Sequence, residues 1–195
     1  TVYVASRLLH EEFLNTFYPL TTKIADALYW VIDRAHPARS IFIMSIGVVP
    51  LVYLAQLIIL AVATNLPLRL LLGAALLASA ALEELVKTMA ICVLVKRGEV
   101  ATTRRVIVLA FLSALGFLLG EKLLTFVSVS IVSQAFLASA LFNTGFLLVP
   151  LTAHFLFAAI VVVLYQRLRV RYVFAVAVGI VLHTAYNALV IGGAL

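Results

Sequence analysis

Apolar residues dominate this chain in long, nearly unbroken runs, and polar positions fall between the runs rather than alternating with them. The first run, Ile41 to Thr64, carries no charge and can cross the roughly 30 Å hydrocarbon layer with some tilt. The second covers about Leu68 to Val95 and contains Glu83, Glu84 and Lys87. A third begins at Val106, carries Glu121 and Lys122, and stays apolar to about Phe142, too long for one crossing; a break or re-entrant turn is predicted near Ser128 to Gln134. The fourth, Phe146 to Gln166, holds His154, and the fifth, from Tyr172 to the end, holds His183 and Asn187. No strand alternation or long-period repeat stands out. The pattern predicts an all-α fold: a polytopic membrane bundle of about five transmembrane helices.

Residues 1–40 read differently. Glu11, Glu12, Lys23, Asp26, Asp33, Arg34 and Arg39 are mixed with aliphatic and aromatic residues, Tyr29 and Trp30 among them, which is the composition of an interfacial amphipathic segment. With no apolar core followed by a small-residue cleavage site, it does not read as a signal peptide. The predicted division is therefore an N-terminal interfacial segment, 1–40, and a helical bundle, 41–195, that carries the chemistry.

Composition narrows the class. Apolar residues make up 65% of the 195 positions and charged residues 11%, against about 45–50% and about 25% in soluble domains, which excludes a soluble enzyme or a disordered chain. The single cysteine, Cys92, permits no intramolecular disulfide. Lys and Arg (14) exceed Asp and Glu (8), but they do not form a patch. From the N-terminal segment through successive connections to the C-terminal end they number 4, 1, 4, 0, 3 and 0. That alternation places the N-terminus and the loops Lys96–Arg105 and Arg167–Arg171 in the cytoplasm and the C-terminus outside, with the cell membrane as the expected location. The basic charge thus reads as topology, not as a nucleic-acid surface.

The informative residues are the polar ones at lipid depth. A charged residue at a helix centre costs roughly 2.5–3.5 kcal/mol on insertion scales, so Glu83, Glu84, Lys87, Glu121 and Lys122 need pairing, neutralisation or water. Counted from the cytoplasmic ends at about 1.5 Å per residue, Glu83, Glu84, Glu121, His154, His183 and Asn187 all fall roughly 16–23 Å deep, although they come from four runs. A shared polar cavity is expected. Lys87 lies four residues from Glu83 and three from Glu84, so it can neutralise either. His183 and Asn187 share a helix face and could donate to one oxygen. Gly116 and Gly120 make a small-residue face just before Glu121, suited to close helix approach.

Two adjacent carboxylates at low dielectric cannot both ionise easily, leaving one available as a base. A carboxylate holding water, with His and Asn donors for a developing oxyanion, is a hydrolase arrangement. A Glu and two His, here Glu121, His154 and His183, are also the ligand set of a catalytic zinc with an open position, Glu83 then being the base. Lys87 and Lys122 add charge that would repel a cation, so the reading leans to a metal-free glutamate mechanism. No Asp lies in any run, which excludes an aspartyl dyad, and HExxH, GxSxG and P-loop patterns are missing; Ser79 and Ser113 leave a serine–histidine dyad formally open.

Glu83-Glu84-Leu85-Val86-Lys87, Phe117-Leu118-Leu119-Gly120-Glu121, the isolated His154, and His183-Thr184-Ala185-Tyr186-Asn187 resemble, in order, the four motifs of PrsW-type intramembrane proteases. That family is grouped with the CAAX prenyl endopeptidases and the γ-secretase scaffold subunit. The resemblance implies that Glu83 and Glu84 are the activating pair, Glu121 and His154 cavity partners, and His183 with Asn187 the fourth motif. It also implies a transmembrane or membrane-anchored protein as substrate and the lipid bilayer as surroundings. The alternative from another class is a non-catalytic scaffold or proton-coupled transporter using the same polar cluster, although the halves of the chain show no inverted-repeat symmetry.

Overall fold

A computed structural model describes residues 19–130 and 144–193. Within them the chain forms six helices: α1 (Leu20–Val31), α2 (Pro37–Ala63), α3 (Leu68–Lys96), α4 (Thr103–Ser130), α5 (Thr144–Gln166) and α6 (Tyr172–Ile191). Strands are absent among the described residues. The break expected near Ser128 to Gln134 falls largely outside them, since α4 is helical to Ser130.

Local chemistry sets the boundaries. Asp33 shapes the turn before α2 by accepting from the Ala35 N–H at 3.0 Å, and Pro37 starts the helix where a missing N–H costs nothing. Pro67 precedes α3 in extended conformation. At the other end of α3, Gly98 adopts φ +78 and the Glu99 N–H reaches back to the Leu94 carbonyl at 3.0 Å, closing a Schellman-type cap that only glycine enters without strain.

Helices α2, α4, α5 and α6 are long and apolar enough to cross a membrane, and α2 turns Leu51, Leu54, Leu57, Ile58 and Val62 outward. That outward apolar surface suits lipid as solvent. α3 differs: it is as long as the others, yet Glu83, Glu84 and Lys87 are buried within it. It packs against α1, α2, α4, α5 and α6, so its polar residues lie where they can be met from several sides.

α2 and α4 approach at backbone distance. A Cβ added at Gly116 would lie 2.5 Å from the Phe42 carbonyl oxygen, and one at Gly120 would lie 2.6 Å from Val49 Cγ2 and 2.9 Å from the Ile46 carbonyl oxygen. Pro50, inside α2, has no N–H to donate to that Ile46 oxygen four residues back. α4 therefore lies against the carbonyl that Pro50 leaves without its usual helical donor.

The amphipathic α1 rests on α3. Asp26 pairs with Arg97, and the Tyr29 hydroxyl donates to Glu99 Oε1 at 2.6 Å, tying α1 to the loop between α3 and α4. Residues 1–18 lie outside the described part, so the expected interfacial segment is described here from Pro19 onward.

Candidate active site

Glu83 and Glu84 are consecutive on α3 and therefore point in directions about 100° apart. The Glu84 carboxylate is fully buried: Oε1 lies 2.5 Å from Lys87 Nζ and 2.9 Å from His183 Nδ1. Lys87 thus selects Glu84 of the two carboxylates within its reach. The same ammonium lies 2.9 Å from His154 Nδ1, and His154 Nε2 lies 3.3 Å from Glu121 Oε2. A continuous polar chain runs from His183 through Glu84, Lys87 and His154 to Glu121, drawing on α6, α3, α5 and α4.

Glu83 stands beside this chain. Its Oε1 accepts from Gln56 Nε2 at 3.1 Å and from Ser79 Oγ at 3.0 Å, while Oε2 faces His183 Nε2 at 3.6 Å. That last separation exceeds a hydrogen bond, so among the described residues both atoms can engage a third group. Ligand-type atoms of Glu83, His154 and His183 lie within 4.8 Å of one another. Those three side chains converge on one point.

Rings and backbone hold the histidines in place. His154 and His183 stack edge to face at 5.3 Å between centroids, with Phe117 at 5.7 Å from His154 and Phe157 at 5.4 Å from His183. Behind them, the Thr88 hydroxyl donates to the Glu84 carbonyl at 2.6 Å, and Ser113 Oγ donates to the Lys87 carbonyl at 2.9 Å. Gly179 on α6 makes room for Glu84: a Cβ there would lie 2.5 Å from Val161 Cγ2 and 3.5 Å from Glu84 Oε2. That Oε2 is buried and has no hydrogen-bond partner among the described residues.

Five of the six site residues expected from the sequence, Glu83, Glu84, Glu121, His154 and His183, thus meet in one cluster. Asn187 is half-buried one turn past His183, and no hydrogen bond joins it to the cluster among the described residues. The histidine–carboxylate group with metal-ligand spacing contains Glu83, where the sequence favoured Glu121. Glu121 reaches His154 of the two histidines, and its side chain keeps 33% of its surface exposed. Ser113 bonds Ser45 and backbone, and Ser79 bonds Gln56 and Glu83, so neither has a histidine partner among the described residues. Gln56 and Ser79 were not expected as cluster members; a lone glutamine in an otherwise apolar helix was the available signal.

A cavity of about 270 Å³ between α2 and α4 borders this centre, lined by Val49, Val52, Tyr53, Gln56, Phe117, Glu121, Leu124 and Thr125. Its wall includes Glu121 on α4 and Gln56 on α2, the latter bonded to Glu83.

The donor set fits a divalent cation by type and spacing. Two histidines and a carboxylate are the usual ligands of a catalytic zinc, and at about 2.0–2.1 Å per bond tetrahedral ligands stand roughly 3.4 Å apart, close to the 3.6 Å between Glu83 Oε2 and His183 Nε2. Glu84 at His183 Nδ1 is the second carboxylate that commonly orients such a ligand. Lys87 Nζ beside His154 opposes a cation by charge.

Residues 37–194 match the model of a family described as the PrsW family intramembrane metalloproteases. No curated protein and no solved structure matches the chain.

Proposed function

The chain belongs to the PrsW family of intramembrane metalloproteases, and we propose that it cleaves membrane-embedded or membrane-anchored polypeptides with Glu83 as the acceptor of the proton of the attacking water. The observation that carries this reading is the convergence of Glu83, His154 and His183 on one point, with Glu83 Oε2 free of any N–H or O–H donor in hydrogen-bond range among the described residues. Glu84 has no accessible surface and is already bonded to Lys87 and His183, so it cannot meet water or substrate. It is a positioning residue that fixes the His183 tautomer and orientation.

In this scheme Glu83 Oε2 removes a proton from water as the water oxygen bonds to the scissile carbonyl carbon. The carbonyl π pair moves onto its oxygen, for which the His154 Nε2–H, set by Lys87 at Nδ1, and the Asn187 amide, on the His183 face of α6, are the proposed donors. Glu83 then passes the proton to the amide nitrogen as the C–N bond breaks, giving an acid and an amine. The cleft between α2 and α4 is the proposed entry for the substrate strand, which must leave its helix before the backbone carbonyl is exposed to attack.

The family's description as metalloproteases and the spacing of the three donors also admit a second form of the same site. A divalent cation held by Glu83, His154 and His183 would polarise the carbonyl and acidify a water. Glu121, exposed on the cleft wall, is then the carboxylate left to take the proton. The N-terminus and basic loops are proposed to lie in the cytoplasm, on the Lys and Arg distribution. The test is cleavage of a library of single-span peptides by wild type and Glu83→Ala, with metal content measured on the same preparations. Cleavage by wild type alone supports the reading, and equal cleavage by both removes it.

A further inference from the structure

Among the groups around Glu83, two belong to none of the motifs. Gln56 lies on α2, and its Nε2 lies 2.7 Å from Ser79 Oγ and 3.1 Å from Glu83 Oε1. Ser79 Oγ in turn donates to the same Glu83 Oε1 at 3.0 Å. The three groups form a closed triangle in which both amide hydrogens and the hydroxyl hydrogen are used. A primary amide in a lipid-spanning helix is costly without partners, and here both of its donors serve one carboxylate and that carboxylate's neighbour.

We propose that Gln56 and Ser79 are positioning residues for Glu83: together they occupy Oε1 and so aim Oε2 at the point shared with His154 and His183. The assignment rests on the proposed role of Glu83. Without the two donors the side chain has free rotation about its terminal torsion, which is broad and roughly two-fold, and the two oxygens exchange places. With them, one oxygen is committed to α2 and α3 and the other to reaction. Ser79 stands one turn before Glu83 on α3 and supplies the local anchor. Gln56 supplies the one that crosses from another helix. Because Gln56 also lines the cleft between α2 and α4, a substrate strand entering there passes the residue that holds Glu83 in register.

Partners that orient a reacting or ligating group typically alter activity by about 10–100-fold when removed. Gln56→Met keeps the length of the side chain and removes the donors; Ser79→Ala removes the hydroxyl, and Ser79→Thr restores one. In the full chain in detergent, with a cleavable single-span peptide, each of Gln56→Met and Ser79→Ala is expected to lower kcat by about 10-fold or more with KM within about twofold of wild type. Ser79→Thr recovers the rate lost in Ser79→Ala. The double variant costs less than the product of the single losses, since both donors hold one oxygen. Unchanged kcat in both single variants, a loss confined to KM, or fully multiplicative losses would overturn the assignment. If Gln56→Met does not fold, the two Ser79 variants decide the question alone. Glu83→Ala run alongside separates the two levels: an active Glu83→Ala removes the proposed function, whereas an inactive Glu83→Ala with wild-type rates in Gln56→Met and Ser79→Ala removes only this inference.

Discussion

Replacing Gly116 with alanine puts a methyl carbon 2.5 Å from the Phe42 carbonyl oxygen and 3.1 Å from Ser45 Cβ, on the face where α4 meets α2. Backbone cannot turn aside as a side chain does, so the two helices must separate by several tenths of an ångström. Over-packing of this kind costs typically about 1–3 kcal/mol, against at most about 1 kcal/mol gained in helix propensity. For a chain of this size a loss of that order lowers Tm by a few degrees up to about 10 °C. At Gly120 the nearest atom is Val49 Cγ2 at 2.6 Å, a side-chain atom, with the Ile46 carbonyl oxygen at 2.9 Å. Val49→Ala should therefore relieve part of the cost of Gly120→Ala and none of that of Gly116→Ala. Gly47, with nothing within 4 Å of an added Cβ, is the control in the partner helix. Thermal unfolding in one detergent, followed by helicity, is expected to rank Gly47→Ala above Gly120→Ala and Gly116→Ala lowest. Activity should fall with the last two, because Glu121 follows Gly120 directly and its 3.3 Å contact with His154 depends on the same spacing. Gly116→Ala as stable as Gly47→Ala would refute the account of how α2 and α4 meet.

Lys87→Met leaves the buried Glu84 carboxylate without its closest partner and is expected to cost about 3–5 kcal/mol, most of it returned in Lys87→Met/Glu84→Gln, as measured by denaturant unfolding. Asn187→Ala, at the residue one turn past His183 and outside the hydrogen-bonded cluster, should lower kcat by about 100-fold or more with little effect on KM, as loss of an oxyanion donor does; a change confined to KM would make it a substrate clamp. Cysteine labelling is expected to reach the Lys96–Arg105 and Arg167–Arg171 loops from the cytoplasmic side, and labelling of both from outside would reverse the orientation. On the contacts of Lys87 with His154 and Glu84, protein purified without chelator is expected to lack stoichiometric zinc; about one zinc per chain, lost with activity in His154→Ala, would pass the proton-accepting role to Glu121.

Much of the fold was legible because lipid imposes a simple rule: uncharged runs near 20 residues become helices, and charges at depth must meet partners. The starts of α3 and α6 and the close approach at Gly116 and Gly120 follow the sequence pattern. The shared depth of Glu83, Glu84, Glu121, His154 and His183 also anticipated their meeting. Depth does not supply rotation about each helix axis, however. That is why Glu83, rather than Glu121, completes the group with His154 and His183, and why Asn187 shares a face with His183 without joining its contacts. Spacing within α3 allowed Lys87 to choose either glutamate, and the choice of Glu84 is decided by His183 and Gly179 on α6, which no local pattern encodes. Gln56 stood out in the sequence as a lone glutamine in an apolar run, but its role did not, because its partners are on another helix.

The central claim is that Glu83 Oε2, at its point shared with His154 and His183, takes the proton of the attacking water. Its most direct test is the cleavage rate of a single-span peptide, read by mass spectrometry of the products, for wild type and Glu83→Ala of equal thermal stability in the same micelles. The account requires cut products from wild type and none above background from Glu83→Ala, whereas Glu83→Ala cutting the same bond at the wild-type rate would contradict it.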